Sequence, residues 1–297
     1  MVDHRSVLYK EVLEALSVKP GEIYVDATLN GGGHTKGILG LGGRVVGIDL
    51  DPQAIKRVAK TFSLKVTADD EKIIGQSKSL IATQGNFANL REIVSEFGVW
   101  ETPGILFDLG LSSFQLDDKA RGFSFSKPGP LDMRFDPRLA VTAADLINGL
   151  NEGELHELFA KYGEEHASRS IACAIVEARV KERIETTTQL VDVINNVVRR
   201  REKIHPATRV FQALRIAVND ELNNLRKGLE EAADLLKVGG RLVVISFHSL
   251  EDGTVKRFLA ERRDFKSLTK KPIVPSKEEI LENPRARSAK MRVAEKQ

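Results

Sequence analysis

Apolar residues fall along this chain in two rhythms. Short, nearly unbroken apolar runs closed by turn residues predict strands at residues 23–28, 44–50, 80–84, 104–109 and 241–247. Helical spacing fills the gaps between the early runs. Pro52-Gln53-Ala54-Ile55 opens a helix with Asp51 as its cap and proline at its first position. Residues 86–97 place Phe87, Leu90, Ile93, Val94 and Phe97 on one helical face. Strands alternating with helices predict a parallel, doubly wound α/β sheet.

After Leu109 the alternation stops. A Gly/Pro-rich loop at 121–136 leads into helical periodicity at 146–162, 165–180 and 187–199. A long helix from His205-Pro206 to Leu236, closed by Gly239-Gly240, then returns the chain to the last strand. The pattern therefore predicts a discontinuous sheet domain, 1–112 and 206–297, interrupted by an inserted helical domain, 113–205. The tail, 270–297, is basic and carries Pro272, Pro275 and Pro284, so it reads as loop or extended arm.

The 297 residues suffice for one large domain or two ordinary ones, and 41% hydrophobic with 29% charged residues fits a soluble globular chain. No apolar run approaches the ~20 residues of a membrane span, and Met1-Val2-Asp3-His4-Arg5 has no apolar signal core behind it. Cys173 is the single cysteine, which excludes an internal disulfide and suits a reducing cytoplasm. A net charge of +3 permits a nucleic-acid partner without requiring one.

Candidate chemistry gathers at the carboxyl ends of the strands. Asp26-Ala27-Thr28-Leu29-Asn30-Gly31-Gly32-Gly33-His34 follows the first run, and Asp49 closes the second. Glycines let a ligand approach the backbone, and an acid at the end of the next strand accepts hydrogen bonds from ribose hydroxyls. The glycines lack G-x-G-x-x-G spacing, which favours a nucleoside such as S-adenosylmethionine over a dinucleotide. Asp49 is preferred to Asp51 as the ribose acid, because Asp51 precedes Pro52 and caps a helix. His34 reads equally as a helix-start residue or a ligand contact. Asp108, Gly110, Ser112 and Ser113 end the fourth strand; Asp108 and Ser112 suit orientation of an amine, although Ser112-Ser113 also reads as a helix cap. His248, after the last strand, suits a general base or a base-stacking group, with Ser249 as cap of the following helix.

The histidines lack metal-ligand spacing and there is no cysteine pair, so no metal is expected. Cys173 lies on a helix face, as a core residue, and no cysteine neighbours the loops. Methylation of a pyrimidine ring carbon usually needs such a nucleophile, so an exocyclic amine or hydroxyl is the better acceptor. Basic stretches suited to phosphates are Arg199-Arg200-Arg201-Glu202-Lys203 with His205, Arg209 and Arg215, and Arg285, Arg287, Lys290 and Arg292 in the tail. Arg121, Phe123, Phe125, Met133 and Arg134 in the 121–136 loop suit single-stranded RNA, or else form a structured lid with its aromatics inward.

These residues resemble the bacterial small-subunit ribosomal RNA cytosine-N4 methyltransferases, the RsmH or MraW family, along nearly the whole chain. The resemblance runs from His4-Arg5-Ser6-Val7-Leu8 through Asp26 to His34, Asp108 to Asp118, Arg121-Gly122-Phe123-Ser124-Phe125 and Gly129-Pro130-Leu131-Asp132-Met133-Arg134. It continues through Tyr162-Gly163-Glu164-Glu165, His205 to Arg209, Phe211 to Arg215, Ile245 to Asp252, and Glu282 to Ser288. It implies a Rossmann-like methyltransferase sheet with an inserted helical domain, S-adenosylmethionine as methyl donor, and a cytosine in the decoding region of 16S rRNA as acceptor. By position, it places donor contacts on Gly32, Gly33, His34, Asp49, Phe87, Asp108 and Gln115, with Phe87 packing on adenine. Asp108 and Ser112 would then orient the amine, and His248 would hold the base or relay the lost proton. The small ribosomal subunit is the implied partner, and a homodimer is left open. Two features depart from the family pattern. Asn30 stands where glycine is common, a substitution that a left-handed turn tolerates. The polar segment between Thr61 and Ser79 is longer than the pattern requires and is expected to be surface loop. A non-catalytic RNA-binding or ribosome-assembly factor and a nicotinamide-dependent dehydrogenase are the competing readings. The intact Gly31–His34 turn and Asp108 argue against the first; the glycine spacing and the inserted domain argue against the second.

Overall fold

The computed structural model describes residues 6–69, 72–198 and 205–297. His4, Arg5 and the basic stretch 199–203 lie outside the described residues. The described chain forms two compact units, residues 1–110 with 222–297, and residues 111–221.

The first unit holds a mixed, mostly parallel sheet. Its strands are β1 (Ile23–Asp26), β2 (Arg44–Asp49), β3 (Lys65–Ala68), β4 (Ile73–Gln76), β5 (Leu80–Gln84), β6 (Thr102–Asp108), β7 (Leu236–Ser246), β8 (Phe265–Ser267) and β9 (Lys290–Lys296). They lie in the order β3-β4-β5-β2-β1-β6-β7-β9-β8. The central run from β5 to β7 is parallel, and both flanks are antiparallel. Strand order reverses direction at β1 and β6, the switch point at which open α/β sheets bind ligands beyond the carboxyl ends.

Successive strand residues feed opposite faces, as a period of two demands. Val25, Val46, Ile48, Ile105, Phe107 and Val244 pack with Leu225, Leu229 and Ala232 of helix Glu221–Leu235, and with Val255 of helix Ser249–Glu261. Tyr24, Val45, Leu106, Val243 and Ile245 pack with Val12 of helix Tyr9–Leu16, Ile38 of helix Gly33–Gly40 and Ile55 of helix Pro52–Thr61. With both faces covered, the strands have no solvent side, which is why they read as unbroken apolar runs.

Four local expectations are corrected. The 61–79 segment is not simply loop: it contains the β3–β4 hairpin, which extends the sheet along β5. The basic tail is loop only in its first part: it goes on into helix Lys277–Glu282 and β9, which pairs antiparallel with β7 from Arg241↔Glu295 to Ser246↔Lys290. The long 205–236 helix breaks at Asp220, whose φ of 48° ends helix Ala207–Asn219. Asn219 is buried there, accepting from the Phe135 N–H and donating to the Met133 carbonyl, while Arg215 grips Glu221 through two hydrogen bonds. Asp tolerates a left-handed backbone better than most residues, so the break is cheap. Gly239-Gly240 does not close a helix either. Strand β7 already begins at Leu236, and its register against β6 shifts between Thr102 and Gly104.

The second unit is helical: Ser113–Asp117, Ala143–Gly149, Glu152–Gly163, Ser168–Lys181, Thr187–Val197 and Ala207–Asn219. The expected single helix over 146–162 is two, because Asn151 starts a new helix with a capping box to Glu154. Phe159, Ile171, Ile175, Leu190, Ile194 and Leu214 form its core. Cys173 is half-buried beside Glu177 rather than in that core. Among the described residues, no helix is long and apolar enough to cross a membrane.

Candidate active site

The turn after β1 is built around one carboxylate. Asn30 occupies the left-handed region at φ 50°, and its backbone N–H donates to Asp49 Oδ2 at 2.7 Å. The Asp51 N–H donates to Asp49 Oδ1 at 2.9 Å. Each Asp49 oxygen thus holds one backbone N–H and keeps a second lone pair. Asp51 is spent on the helix, accepting from the Gln53 N–H at 3.0 Å. Gly32 continues the turn at φ 74°, a conformation that suits glycine. A Cβ on Gly33 would sit 1.9 Å from Ser6 Oγ, so the first helical turn presses against the N-terminal segment.

His34 lies in that first turn and is buried. Its Nε2 is 3.0 Å from the Val7 carbonyl, which can only accept, so Nε2 carries a proton. Nδ1 faces Asp108 Oδ2 at 3.4 Å, a contact that is attractive only with a further proton on one of the two groups. Asp108 ends β6. Its N–H donates to Thr28 Oγ1 at 2.5 Å, and its carbonyl accepts from Asn30 Nδ2 at 3.4 Å. Its Oδ1 is buried and has no hydrogen-bond partner among the described residues.

Three carboxyls share this edge, and burial raises all of them. Asp26, which accepts from Thr35 Oγ1 at 2.7 Å, is pushed up to about 6. Asp49 is pushed up to about 7, against the lowering effect of the Asp51 and Asn30 N–H groups. Asp108 is raised well above the usual carboxylate range by burial, and further by the charges of Asp26 and Glu251. Such stacked, desolvated acids are costly in a free protein and mark functional edges.

Phe87 follows β5 and is half-buried, its ring edge-on to Phe107 at 5.5 Å. His248 follows β7. It, not Ser249, is the N-cap of helix Ser249–Glu261, because its Nδ1 accepts from the Glu251 N–H at 3.4 Å. Glu251 completes the box: its Oε2 accepts from the Phe247 and His248 N–H groups at 2.7 and 3.2 Å. With Nδ1 an acceptor, neutral His248 carries its proton on Nε2, which lies 3.1 Å from Glu251 Oε1. The first unit thus brings Gly32, Gly33, His34, Asp49 and Asp108 to the carboxyl ends of β1, β2 and β6. Phe87 and His248 follow β5 and β7 on the same edge.

Ser112 and Gln115 belong to the second unit. Ser112 caps helix Ser113–Asp117, accepting from the Gln115 N–H at 3.2 Å, and Gln115 Oε1 accepts from the Ser112 N–H at 2.9 Å. In the 121–136 loop the structured reading prevails over an RNA-facing one. Phe123 and Met133 are buried, Phe125 stacks on His205 at 4.7 Å, and Arg121 donates to the Arg134 and Phe135 carbonyls. Thr28, Asn30 and Glu251 are contributors not singled out from sequence for these contacts. Asn30 left a signal, standing in place of glycine in a left-handed turn that it does occupy, and so did Glu251, standing three residues after a potential cap.

A family model described as the MraW methylase family matches residues 1–297. A relative from Deinococcus radiodurans is 50% identical, covering 99% of this chain and 89% of its own length. Relatives from Carboxydothermus hydrogenoformans and Geobacter sulfurreducens are each 46% identical, covering 99% of this chain and 97% and 98% of theirs. All three carry the name ribosomal RNA small subunit methyltransferase H. Among solved structures, an rRNA methylase from Streptococcus thermophilus aligns over 97% of this chain and 93% of its own, at 13% identity and a TM-score of 0.44. That likeness is too distant to add to what the strand order establishes.

Proposed function

We propose, from the premise that this chain belongs to the MraW methylase family, that it methylates the exocyclic N4 of a cytosine in the decoding region of 16S rRNA. S-adenosylmethionine is the donor, supplying a methyl already activated on a sulfonium, and the reaction takes place in the cytoplasm. The observation that carries the reading is Asp108: a buried carboxyl at the switch point, with one oxygen lacking any partner among the described residues. An unsatisfied buried acceptor of this kind costs about 1–3 kcal/mol until a donor reaches it. An amino group of the donor or of the base meets that need, and the spare lone pairs of Asp49 suit ribose hydroxyls.

In this reading Gly32, Gly33, His34, Asp49, Phe87 and Asp108 of the first unit hold the donor. Asp108 orients the acceptor amine, and positioning supplies most of the acceleration. His248, with Nδ1 tied to the helix cap and Nε2 buried 3.1 Å from Glu251 Oε1, holds the base, and the proton that the amine loses passes to the Asp108 carboxylate, whose burial favours the protonated form. Small ribosomal subunits lacking the modification, incubated with methyl-labelled donor and digested for mass spectrometry, provide the test. Label on cytosine N4 in the decoding region is expected; label on a ring carbon or a ribose overturns the assignment.

A further inference from the structure

A cleft of about 290 Å³ opens on the first unit beside His248. We propose that this cleft, lined by Phe247, His248, Ser249, Arg287, Ser288 and Lys290, binds a single-stranded RNA nucleotide flanking the methylated cytosine. The inference rests on the methyltransferase reading for the identity of the strand, and on the cleft itself for the chemistry.

Position is the first argument. Asp108 pairs with Ile245 across β6 and β7, and Ser246 pairs with Lys290 across β7 and β9. The cleft therefore sits two strand spacings, about 10 Å, along the same carboxyl edge from Asp108. A strand presenting one base at Asp108 and His248 has a neighbouring nucleotide within reach of this cleft.

Charge is the second. The tail cations are not equivalent. Arg292 is bound by Asp252 through two hydrogen bonds, and Lys290 approaches the same carboxylate at 3.8 Å. Arg287 is exposed and has no hydrogen bond or ion pair among the described residues. Asp252 is thus answered by Arg292 and Lys290, leaving the Arg287 guanidinium as surplus positive charge at the cleft. A guanidinium matches the two oxygens of a phosphate in a fixed fork.

Composition is the third. The half-buried Phe247 ring and Val274, 60% exposed, add apolar surface to the same cleft, and Ser249 and Ser288 add hydroxyls. A cation beside an aromatic face is how single strands are held without base pairing. An acidic peptide would use the cation but would leave the ring without a stacking partner. At about 290 Å³ the cleft accepts one base or phosphate rather than a second whole donor molecule.

The test uses the full chain with Arg287→Ala, Arg287→Glu and Arg287→Lys, all at an exposed side chain. The probe is a short single-stranded RNA containing the target cytosine, with binding followed by anisotropy between 50 and 200 mM salt, a range in which phosphate contacts show clearly. Arg287→Ala should weaken binding about tenfold, the equivalent of one charge-assisted hydrogen bond. It should also lower the slope of log K against log salt by about 0.7, one phosphate contact on a single strand. Arg287→Glu should lose more, and Arg287→Lys should keep the slope. RNA affinity and slope unchanged in both Arg287→Ala and Arg287→Glu overturn the cleft, and methyl transfer in that case leaves the methyltransferase reading standing. Binding that depends on Arg287 in a protein that transfers no methyl does the reverse. Polyglutamate that binds with the same Arg287 dependence, while the RNA does not bind, also overturns it.

Discussion

At the scale of single residues, the site turns on carboxyls held out of water. Asp49 is the clearest case, because both its oxygens already accept backbone N–H groups and burial still lifts it to about 7. Ribose hydroxyls donate to the ionised form. The ionised fraction falls tenfold for each pH unit below the pKa, so donor affinity should decline as pH drops through about 7. Calorimetric titration of S-adenosylmethionine between pH 8 and 6 measures this decline. Asp49→Ala should weaken binding by roughly 10- to 150-fold, the 1.5–3 kcal/mol of hydrogen bonds to a charged group, and should remove the part of the pH dependence that Asp49 causes. An unchanged affinity in Asp49→Ala would sink the ribose assignment. The choice of Asp49 over Asp51 was legible in the sequence, since Pro52 marks Asp51 as a cap and the cap is observed. Thr28 was not legible in its part. Its hydroxyl meets the Asp108 N–H only because β1 and β6 lie side by side, although 80 residues separate them.

At the scale of elements, helix Ser249–Glu261 joins stability to the site through its first residue. His248 caps it and Glu251 closes the box, so the residue that starts the helix is also the one that follows β7 at the sheet edge. Asn is among the best caps, whereas Ala loses the cap at a cost of about 1 kcal/mol. His248→Asn should therefore melt close to the unsubstituted protein, and His248→Ala should melt lower. Both should lose turnover if the imidazole holds the base. Calorimetry and methyl transfer, measured on the pair, separate the two roles, and full turnover in His248→Asn would remove the ring from the mechanism. Sequence placed the cap on Ser249, the commoner cap residue, because histidine rarely serves there. The same kind of limit explains the other elements. The five parallel strands were legible from their buried apolar runs. β9 was not, because its short alternation of Lys290 and Arg292 with buried Met291 and Val293 breaks at buried Ala294 and hides among the tail's charges and prolines. The β3–β4 hairpin was missed for a related reason, since β3 is exposed along its whole length and carries no apolar signature.

At the scale of the whole molecule, the chain divides into units that each bury their own apolar residues. The sheet unit needs two separate stretches of sequence to assemble, since β7, β8 and β9 come from 222–297 while β1 to β6 come from 1–110. The helical unit is one unbroken stretch, 111–221, and its core from Phe123 to Leu214 is drawn wholly from that stretch. Its helices start on their own signals, with capping boxes at Thr142, Asn151 and Thr186. A unit with a contiguous chain, its own core and local start signals has what independent folding requires. Residues 111–221 produced alone should therefore give a helical circular dichroism spectrum and a single cooperative thermal transition. A spectrum without helix, or a broad melt with no transition, would show that the 111–221 core depends on the sheet unit for its stability. In the full chain, amide exchange should then report protection in the two units that responds separately to a core substitution in either. Leu155→Ala, at a fully buried position, should cost the helical unit about 2–5 kcal/mol while leaving the slowest amides of β1, β2 and β6 unchanged.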